Sequence, residues 1–268
     1  MHSWQSLVDA YTTQLATINR SAGTIRQHRN YLAALARAHP NPLDVTRADL
    51  LAELGSHGWG PCGKKSARTV WRGFYKYLHG EGLMETWIGE TLPAITMPNG
   101  IPRPADAASI NRVCTDPDDR IRLMSLLAAK DALRAGEIAR VHSDDYDPHQ
   151  RALLVHGKGR KQRLIPVASD QLHDMLSALD GWAFPSPHPR CDHLTPGTIT
   201  KLLSDALGPK WTAHNLRHAA ATAIVDDTGD LMAARDFLGH ATVATTQIYS
   251  KTSLKRLWAA AEAAAHPR

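Results

Sequence analysis

The first hundred residues carry apolar side chains at spacings of three and four positions, the pattern of amphipathic helices that bury one face. Similar stripes begin after Ser21 and after Thr46, which are typical helix-capping residues. A further stripe runs from Val70 to Leu78. Four helices are therefore predicted in this part of the chain. The first of their stripes consists of Trp4, Leu7, Val8, Tyr11 and Leu15.

Proline and glycine residues cluster between positions 93 and 104, which indicates an exposed linker. We place the linker at residues 99–104. It separates an N-terminal helical domain, residues 1–98, from a C-terminal domain, residues 105–268. A linker at this point would let two domains close around a bound molecule.

The C-terminal domain begins with helical patterns that reach Ile138. The segments 151–155 and 163–167 then flank a Gly-rich turn and predict a β-hairpin. Helical patterns follow to the end of the chain, with breaks at residues 185–196 and around Gly239. The predicted fold is mainly α with a small β-hairpin or sheet, in two domains.

Composition excludes several classes of protein. The 268 residues contain no apolar run near the roughly 20 residues that a membrane span needs. The first twenty residues lack the pattern of a secretory signal, and a cytoplasmic location is expected. Cys62, Cys114 and Cys191 are odd in number and far apart, which does not indicate a disulfide framework.

The basic residues of the N-terminal domain are segregated from its acidic residues. The net charge is +5, and no acid occurs between Asp9 and Asp44 or between Glu53 and Glu81. Each of these two segments contains at least four Lys or Arg residues. Such acid-free basic segments suggest a polyanionic partner, although solvated helix faces would produce the same pattern.

The C-terminal domain contains the side chains that metal-free attack on a phosphodiester requires. Fixed positive charge must balance the charge that develops on the phosphate oxygens, and arginine suits this because its planar fork binds two oxygens. Arg134 and Arg217 are the candidates for this pair. A phenol can be the nucleophile, and an ammonium group on a hairpin turn can protonate the leaving 5′ oxygen. Tyr249 and Lys158 are suited to these two tasks.

The motifs ALRAGEI, HGKGRKQRLIPV, AHNLRHAAAT and FLGHATVATTQIY contain these residues together with His214 and His240. In this order and spacing they resemble the tyrosine recombinase family, which includes the phage integrases and the Xer-type site-specific recombinases. One departure is the pair Asp131 and Ala132, which stands where the family usually has a small Thr-Gly-like pair. We expect Ala132 to be a mild change and Asp131 to add a negative charge near the site.

The resemblance implies a transesterification in which Tyr249 forms a 3′-phosphotyrosine, without a metal or any other cofactor. It implies that Lys158 is the general acid, that His214 helps to move the tyrosine proton and that His240 hydrogen-bonds the phosphate. We interpret Glu137, three residues after Arg134, as a buttress that holds the arginine or the histidine. In the hairpin, Arg160, Lys161 and Arg163 are expected to meet phosphate or solvent.

The resemblance also implies a partner and an assembly. The N-terminal helices would bind a double-stranded core recombination site, and four protomers would hold two sites. A last helix near residues 251–266 would dock on a neighbouring protomer or pack on its own protomer. The residues expected to contact DNA are Thr24, Arg26, Lys64, Lys65, Arg68, Arg72 and Lys76.

Three other functions remain open from the sequence. His188, Cys191 and His193, or His214 with His218, could belong to a zinc site. A regulator that binds DNA on the same fold without cutting it would share the basic helices, and a type IB topoisomerase-like enzyme would share the chemistry. Within the family, integration and excision of a phage or mobile element is preferred to Xer-type resolution of chromosome or plasmid dimers.

Overall fold

The structure, a computed structural model, describes residues 3–98, 104–157, 159 and 161–239. The chain divides into two compact units, Met1–Asn99 and Gly100–Arg268. Among the described residues, no helix is both long and apolar enough to cross a membrane. Apart from Pro104, the linker predicted at residues 99–104 lies outside the described residues.

The first unit contains four helices in its described part, as the apolar stripes predicted. Ser21 and Thr46 each cap the helix that follows by accepting a backbone hydrogen bond. The third helix continues through Gly55 and the fourth begins at Pro61, so the Gly-rich segment between them is shorter than the sequence indicated. The helices are α1 (Trp4–Thr17), α2 (Ala22–Ala38), α3 (Arg47–Ser56) and α4 (Pro61–Gly80).

Helix α4 forms the centre of this unit's core. Its predicted inward residues Val70, Phe74 and Leu78 are buried, whereas Tyr77 is only partly buried. Two larger aromatic residues of the same helix, Trp71 and Tyr75, are fully buried. These aromatic rings pack against apolar residues of the other three helices and form one continuous core.

The second unit contains a small antiparallel sheet between helices. Strands β2 (Ala152–His156) and β3 (Gln162–Pro166) form the predicted hairpin. A two-residue strand that the sequence did not reveal, β1 (Tyr146–Asp147), pairs with β2 and gives the order β1-β2-β3. Because side chains alternate along a strand, Leu153, Val155 and Ile165 all enter the core.

The helices of the second unit surround this sheet and position the site described below. The region up to Ile138 is helical, as predicted. The predicted break at residues 185–196 is longer in the structure, since α8 ends at Ser177 and α9 begins at Pro196, and α11 ends at Leu238, just before Gly239. The mainly helical fold with a small sheet is therefore confirmed. The helices are α5 (Ala107–Cys114), α6 (Asp119–Ala129), α7 (Ala135–Ile138), α8 (Asp170–Ser177), α9 (Pro196–Leu207), α10 (Ala213–Thr228) and α11 (Leu231–Leu238).

Candidate active site

A single buried carboxylate, that of Glu137 in α7, lies among three arginines. Its Oε1 accepts hydrogen bonds from Nη1 of Arg134 at 2.9 Å and from Nη1 of Arg163 at 3.0 Å. Its Oε2 accepts from Nη2 of Arg163 at 3.1 Å and lies 3.7 Å from Nη1 of Arg217. The three arginines outnumber the one carboxylate, and the cluster therefore keeps a net positive charge.

Burial and hydrogen bonding act in opposite directions on the carboxyl group of Glu137. Burial raises its pKa, because a charged group is less stable away from water. Hydrogen bonds from the Arg163 side chain and the Arg134 backbone, together with the charges of both arginines, more than offset this and hold the pKa below its usual value. Glu137 is therefore ionised at neutral pH and acts as a fixed anion.

Arg134 is the accessible arginine of this cluster. It occupies the N-cap of α7, where its backbone N–H donates to Oε2 of Glu137 at 3.0 Å. Its side chain is 44% exposed, whereas that of Glu137 is 3% exposed. One edge of the guanidinium is held by the carboxylate, and the group retains solvent-facing surface where an anion could bind.

Arg217 is almost completely buried, with 2% of the residue exposed. It lies in α10, three residues after His214, and its Nη1 donates to the carbonyl oxygen of Ala132. Its Nη2 donates to the carbonyl oxygen of Leu238 at 2.6 Å. The two arginines expected to form a pair therefore meet at one carboxylate, although they differ strongly in exposure.

The last carbonyl groups of α11 point toward the same arginines. The oxygens of Phe237 and Leu238 accept from Arg163 and Arg217, and that of Gly239 lies 3.5 Å from Nη2 of Arg134, at the outer limit for a hydrogen bond. These carbonyls have no partner within their own helix, and they carry the negative end of its dipole. The end of α11 is thereby fixed beside the cation cluster.

The pKa of His214 is lowered, first by desolvation and then by the positive charges of Arg217 and Arg134. The ring of His218, one turn later, lies 4.1 Å from that of His214 in an edge-to-face arrangement. Burial lowers the pKa of His218 to about 4, and His214 and Arg217 add to this effect. Both imidazoles are therefore neutral at physiological pH, and a neutral imidazole can accept a proton.

The expectation that Arg163 meets phosphate or solvent is wrong. Only 14% of its side chain is exposed, and its guanidinium binds both oxygens of Glu137. The strand pattern contained a signal for this orientation, because Ile165 lies two residues further along the same face of β3 and is fully buried.

Asp131 and Ala132 differ in the structure from what the sequence suggested. Ala132 is fully buried and has a φ of +54°, in the left-handed region that suits glycine, so the change from glycine is not mild. Asp131 is 2% exposed, and burial raises its pKa to about 7. Its carboxyl group is therefore partly neutral at physiological pH and does not simply add a negative charge.

Several predicted residues lie outside the described part of the chain: Lys158 in the hairpin turn, His240, Tyr249 and the helix predicted at 251–266. The structure does describe Gly157, which precedes Lys158, and Gly239, which precedes His240. Of the hairpin cations, Arg160 also lies outside the described residues, whereas Lys161 is exposed.

The N-terminal unit has an open polar groove of about 570 Å³ along α2 that includes one of the predicted DNA contacts. Arg26 lines the groove, whereas Thr24 does not; the backbone N–H of Thr24 donates to the Ser21 cap at the start of α2. Sequence reasoning did not single out other polar and aromatic residues of this groove, because isolated side chains on a helix face give no distinctive pattern. They are Gln27, Asn30, Tyr31, Arg37 and Trp59.

The basic row of α4 is partly engaged within its own unit. Arg68 donates from Nε and Nη2 to the carbonyl oxygen of Leu92, at 3.2 and 2.7 Å. Arg72 and Lys76 each lie 5.3 Å from the centre of the Trp87 ring, within range of a cation–π contact. Lys64 and Lys65 lie in the first turn of the helix, where Lys65 is exposed and Lys64 half-buried.

The zinc alternative finds no support in the part of the chain that the structure describes, where no three His, Cys, Asp or Glu side chains are grouped to hold a metal ion. His188 and Cys191 lie in an exposed surface loop. The ring of His193 packs 4.8 Å from that of Trp182, and its Nδ1 lies 2.8 Å from the carbonyl oxygen of Leu194. The three cysteines are free.

Comparison with known proteins agrees with this arrangement. Residues 103–256 match the model of the phage integrase family. The chain is 30% identical to the tyrosine recombinase XerC of Shewanella amazonensis, over 98% of this chain and 96% of the relative. It is 27% identical to the tyrosine recombinase XerA of Thermococcus onnurineus, over 98% and 97% of the two chains.

Solved structures show the same fold at low sequence identity. A lambda integrase fragment (residues 75–356) in a dimer bound to a COC′ core site has a TM-score of 0.72 and 20% identity, over 91% of this chain and 97% of that one. The XerH recombinase bound to a palindromic difH substrate has a TM-score of 0.70 and 18% identity, over 95% and 85%. The family match covers more than half of the sequence and the XerC relative almost all of it, and the chain therefore belongs to the phage integrase family of tyrosine recombinases, enzymes that exchange strands of DNA.

Proposed function

We propose that this protein is a site-specific recombinase that integrates and excises phage or mobile-element DNA through a 3′-phosphotyrosine at Tyr249. The observation that carries the proposal is the convergence of Arg134 and Arg217 on Glu137, with the imidazole of His214 close enough to respond to both charges. This set supplies fixed positive charge and a neutral base at one place, which is what attack on a phosphodiester requires.

Arg134 and Arg217 stabilise the charge that builds up on the nonbridging oxygens in this mechanism. Arg134 makes the first contact, because its guanidinium is the more exposed. Arg217 completes the pair, which requires that its buried guanidinium become accessible when DNA binds. Glu137 holds Arg134 in one orientation, so that little rotational entropy is lost on binding.

Proton transfer is divided between two ends of the reaction. His214, neutral because its pKa is lowered, helps to remove the proton of Tyr249 as the phenolic oxygen attacks phosphorus. Lys158 donates a proton to the departing 5′ oxygen, and His240 hydrogen-bonds a nonbridging oxygen. The products are a 3′-phosphotyrosine and a free 5′ hydroxyl, and attack by a 5′ hydroxyl of the partner strand reseals the DNA without a net loss of ester bonds.

We further propose that the N-terminal unit contacts the core site through the α2 groove and the first turn of α4. Of the predicted cations, Arg26, Lys64 and Lys65 are the best placed for phosphate, and Thr24 lies in the first turn of α2, two residues before Arg26. We also include Arg68, Arg72 and Lys76 in the proposed interface. Each already contacts a group of its own unit, which reduces the free energy of DNA binding that it can contribute. Four protomers would assemble on two sites in the cytoplasm, with the helix predicted at 251–266 docked on a neighbour.

The Tyr249→Phe variant tests the chemistry. It removes only a hydroxyl group, and site binding is expected to be unchanged while every covalent protein–DNA adduct disappears. The measurement is a gel shift for binding beside denaturing electrophoresis of labelled DNA for the adduct. An adduct that persists in the variant would assign the nucleophile elsewhere. A wild-type protein that binds specifically but never forms an adduct would favour the DNA-binding regulator.

A second candidate is Xer-type resolution of chromosome or plasmid dimers. The observation that favours it is the match to relatives named XerC and XerA along nearly their whole length. Sequencing DNA trapped covalently on the protein in cells separates the two. Two different sites, one on a mobile element and one on the host chromosome, support integration. One chromosomal or plasmid site, cut alone, supports dimer resolution.

A further inference from the structure

Arg163 lies at the junction of three parts of the second unit. It is the second residue of β3, opposite Val155 of β2, and therefore belongs to the hairpin itself. Its two Nη atoms bind the two oxygens of Glu137, at 3.0 and 3.1 Å, and its Nε donates to the carbonyl oxygen of Phe237 at 2.9 Å. Every nitrogen of this guanidinium thus has a protein partner.

The Glu137 carboxylate lies beside the root of the hairpin turn. A Cβ atom added to Gly157 would lie 3.9 Å from Oε1 of Glu137. The N–H of Gly157 donates to the carbonyl oxygen of Lys161 at 2.7 Å and closes the base of the turn. Lys158 directly follows Gly157 in the chain. A contact that fixes the hairpin strands relative to Glu137 therefore also fixes the position at which the turn begins.

The contact at α11 is equally close. Gly239 has a φ of +61°, and a Cβ atom added to it would lie 2.8 Å from Nη1 and 3.1 Å from Cζ of Arg163. The guanidinium therefore packs directly on the C-cap residue of α11, which precedes His240. The hairpin strand and the end of α11 are joined by one side chain.

The ion pair between Arg163 and Glu137 is costly to break because it is buried and two-pronged. A two-pronged arginine–carboxylate pair is directional, and removing one partner of a buried pair leaves the other charge uncompensated. The side chains of Arg163 and Glu137 are 14% and 3% exposed, so water can replace the lost partner only poorly. Lysine could supply the charge at this position, but not the planar fork.

We propose that Arg163 is a positioning residue for strand cleavage, which ties the base of the hairpin turn to Glu137 and so holds Lys158 in place relative to Arg134, which Glu137 orients through hydrogen bonds of its own. The inference rests on the proposed function, because it assigns Arg163 a task in placing the general acid. It replaces the expectation that this arginine meets phosphate or solvent. A merely structural arginine would affect folding without affecting one chemical step more than another.

The test is single-turnover cleavage by the full-length Arg163→Met protein on two DNA substrates. One has the normal 5′ bridging oxygen, and the other has sulfur at that position, which leaves as a thiolate without needing a proton. We expect cleavage of the normal substrate to fall about 100-fold, the size of effect that misplacing a catalytic group by about 1 Å can cause. We expect the loss on the sulfur substrate to be less than about 10-fold, because the general acid is then unnecessary.

Two further variants serve as references. Arg112→Met removes an arginine of the same unit that donates to two backbone carbonyls, those of Ala206 and Leu207, at 2.8 and 2.9 Å. It is expected to cleave both substrates at the wild-type rate. Arg163→Lys keeps the charge beside Glu137 and is expected to show an intermediate loss with the same preference for sulfur. It also provides a folded protein if Arg163→Met is unstable.

DNA affinity measured against salt concentration separates positioning from phosphate contact. A lost phosphate contact lowers the slope of log K against log salt by about 0.9, whereas a positioning residue leaves the slope unchanged. We expect an unchanged slope for Arg163→Met. A slope lowered by about 0.9, the equivalent of one phosphate contact, would overturn the inference and show that Arg163 contacts the DNA backbone.

The remaining outcomes distinguish this inference from the proposed function. Equal losses on both substrates for Arg163→Met, beside a Lys158→Ala protein that sulfur rescues, would overturn the inference alone. Equal losses for Lys158→Ala itself would remove the general acid from Lys158, and this inference with it. A loss of cleavage in Arg112→Met as large as in Arg163→Met would show that both arginines act only through stability, which also contradicts the inference.

Discussion

Replacing Asp131 with Asn tests how burial controls the charge of a carboxyl group one residue before Ala132, whose carbonyl oxygen accepts from Arg217. Asp131 is 2% exposed, and within the described residues its Oδ2 has no hydrogen-bond partner. Burial raises its pKa from 3.8 to about 7. Asn has nearly the same shape and carries no charge at any pH, so that the two proteins differ mainly in the titration of this one group.

The sign of the effect follows from proton binding. Between pH 3.8 and about 7 the folded protein holds a proton on Asp131 that the unfolded chain has released. The stability that this group contributes is therefore greatest in acid, and it is lost as the pH rises through this window. The full difference between the two pKa values corresponds to about 4 kcal/mol, of which about 2.5 kcal/mol falls between roughly pH 5 and roughly pH 8.

The assay is hydrogen exchange on peptides from α6, which reports the stability of the second unit alone. We expect the free energy of unfolding of Asp131→Asn, measured relative to the wild type, to rise by about 2.5 kcal/mol from roughly pH 5 to roughly pH 8. Other carboxyl groups titrate alike in both proteins and cancel in this difference. A difference that is constant across these pH values would refute a raised pKa for Asp131 and the burial that causes it.

Two positions with a left-handed backbone yield further predictions. Ala132→Gly should change the stability of the second unit by less than about 1 kcal/mol in urea unfolding, because relief of the strain at a φ of +54° offsets the loss of a buried methyl group and the larger entropy of the unfolded chain. A destabilisation of about 2 kcal/mol, the sum of the last two effects alone, would contradict the strain. Gly239→Ala should destabilise the unit by about 1–3 kcal/mol and slow cleavage, because a Cβ atom would lie 2.8 Å from Arg163. Thermal unfolding measures the first effect and single-turnover cleavage the second. Wild-type values in both assays would disprove the close contact.

The sequence was informative wherever the signal was local. A stripe of apolar residues at helical spacing predicts α1 through Trp4, Leu7 and Tyr11, because the 3.6-residue period itself decides which face is buried. Arg217 follows His214 by three residues, which places both on one side of a helix before any tertiary contact is known. The hairpin likewise follows from alternation and a Gly-rich turn, and the family resemblance needs only the order and spacing of the motifs.

Pairing between distant segments was decided only in three dimensions. Arg163 lies 26 residues from Glu137 in the chain, and an arginine beside a hairpin turn has the same local pattern whether it meets solvent, phosphate or a carboxylate. The left-handed backbone of Ala132 and the burial of Asp131 are equally invisible in sequence. Ala132 packs against α10 and α11, and the neighbours of Asp131 include Pro166 and Phe237, far away along the chain. The sequence by itself determined the helices, the hairpin and the chemical types of the reactive groups, because these depend on neighbouring residues. The tertiary structure decided which charged groups meet, because that depends on contacts between elements far apart in sequence.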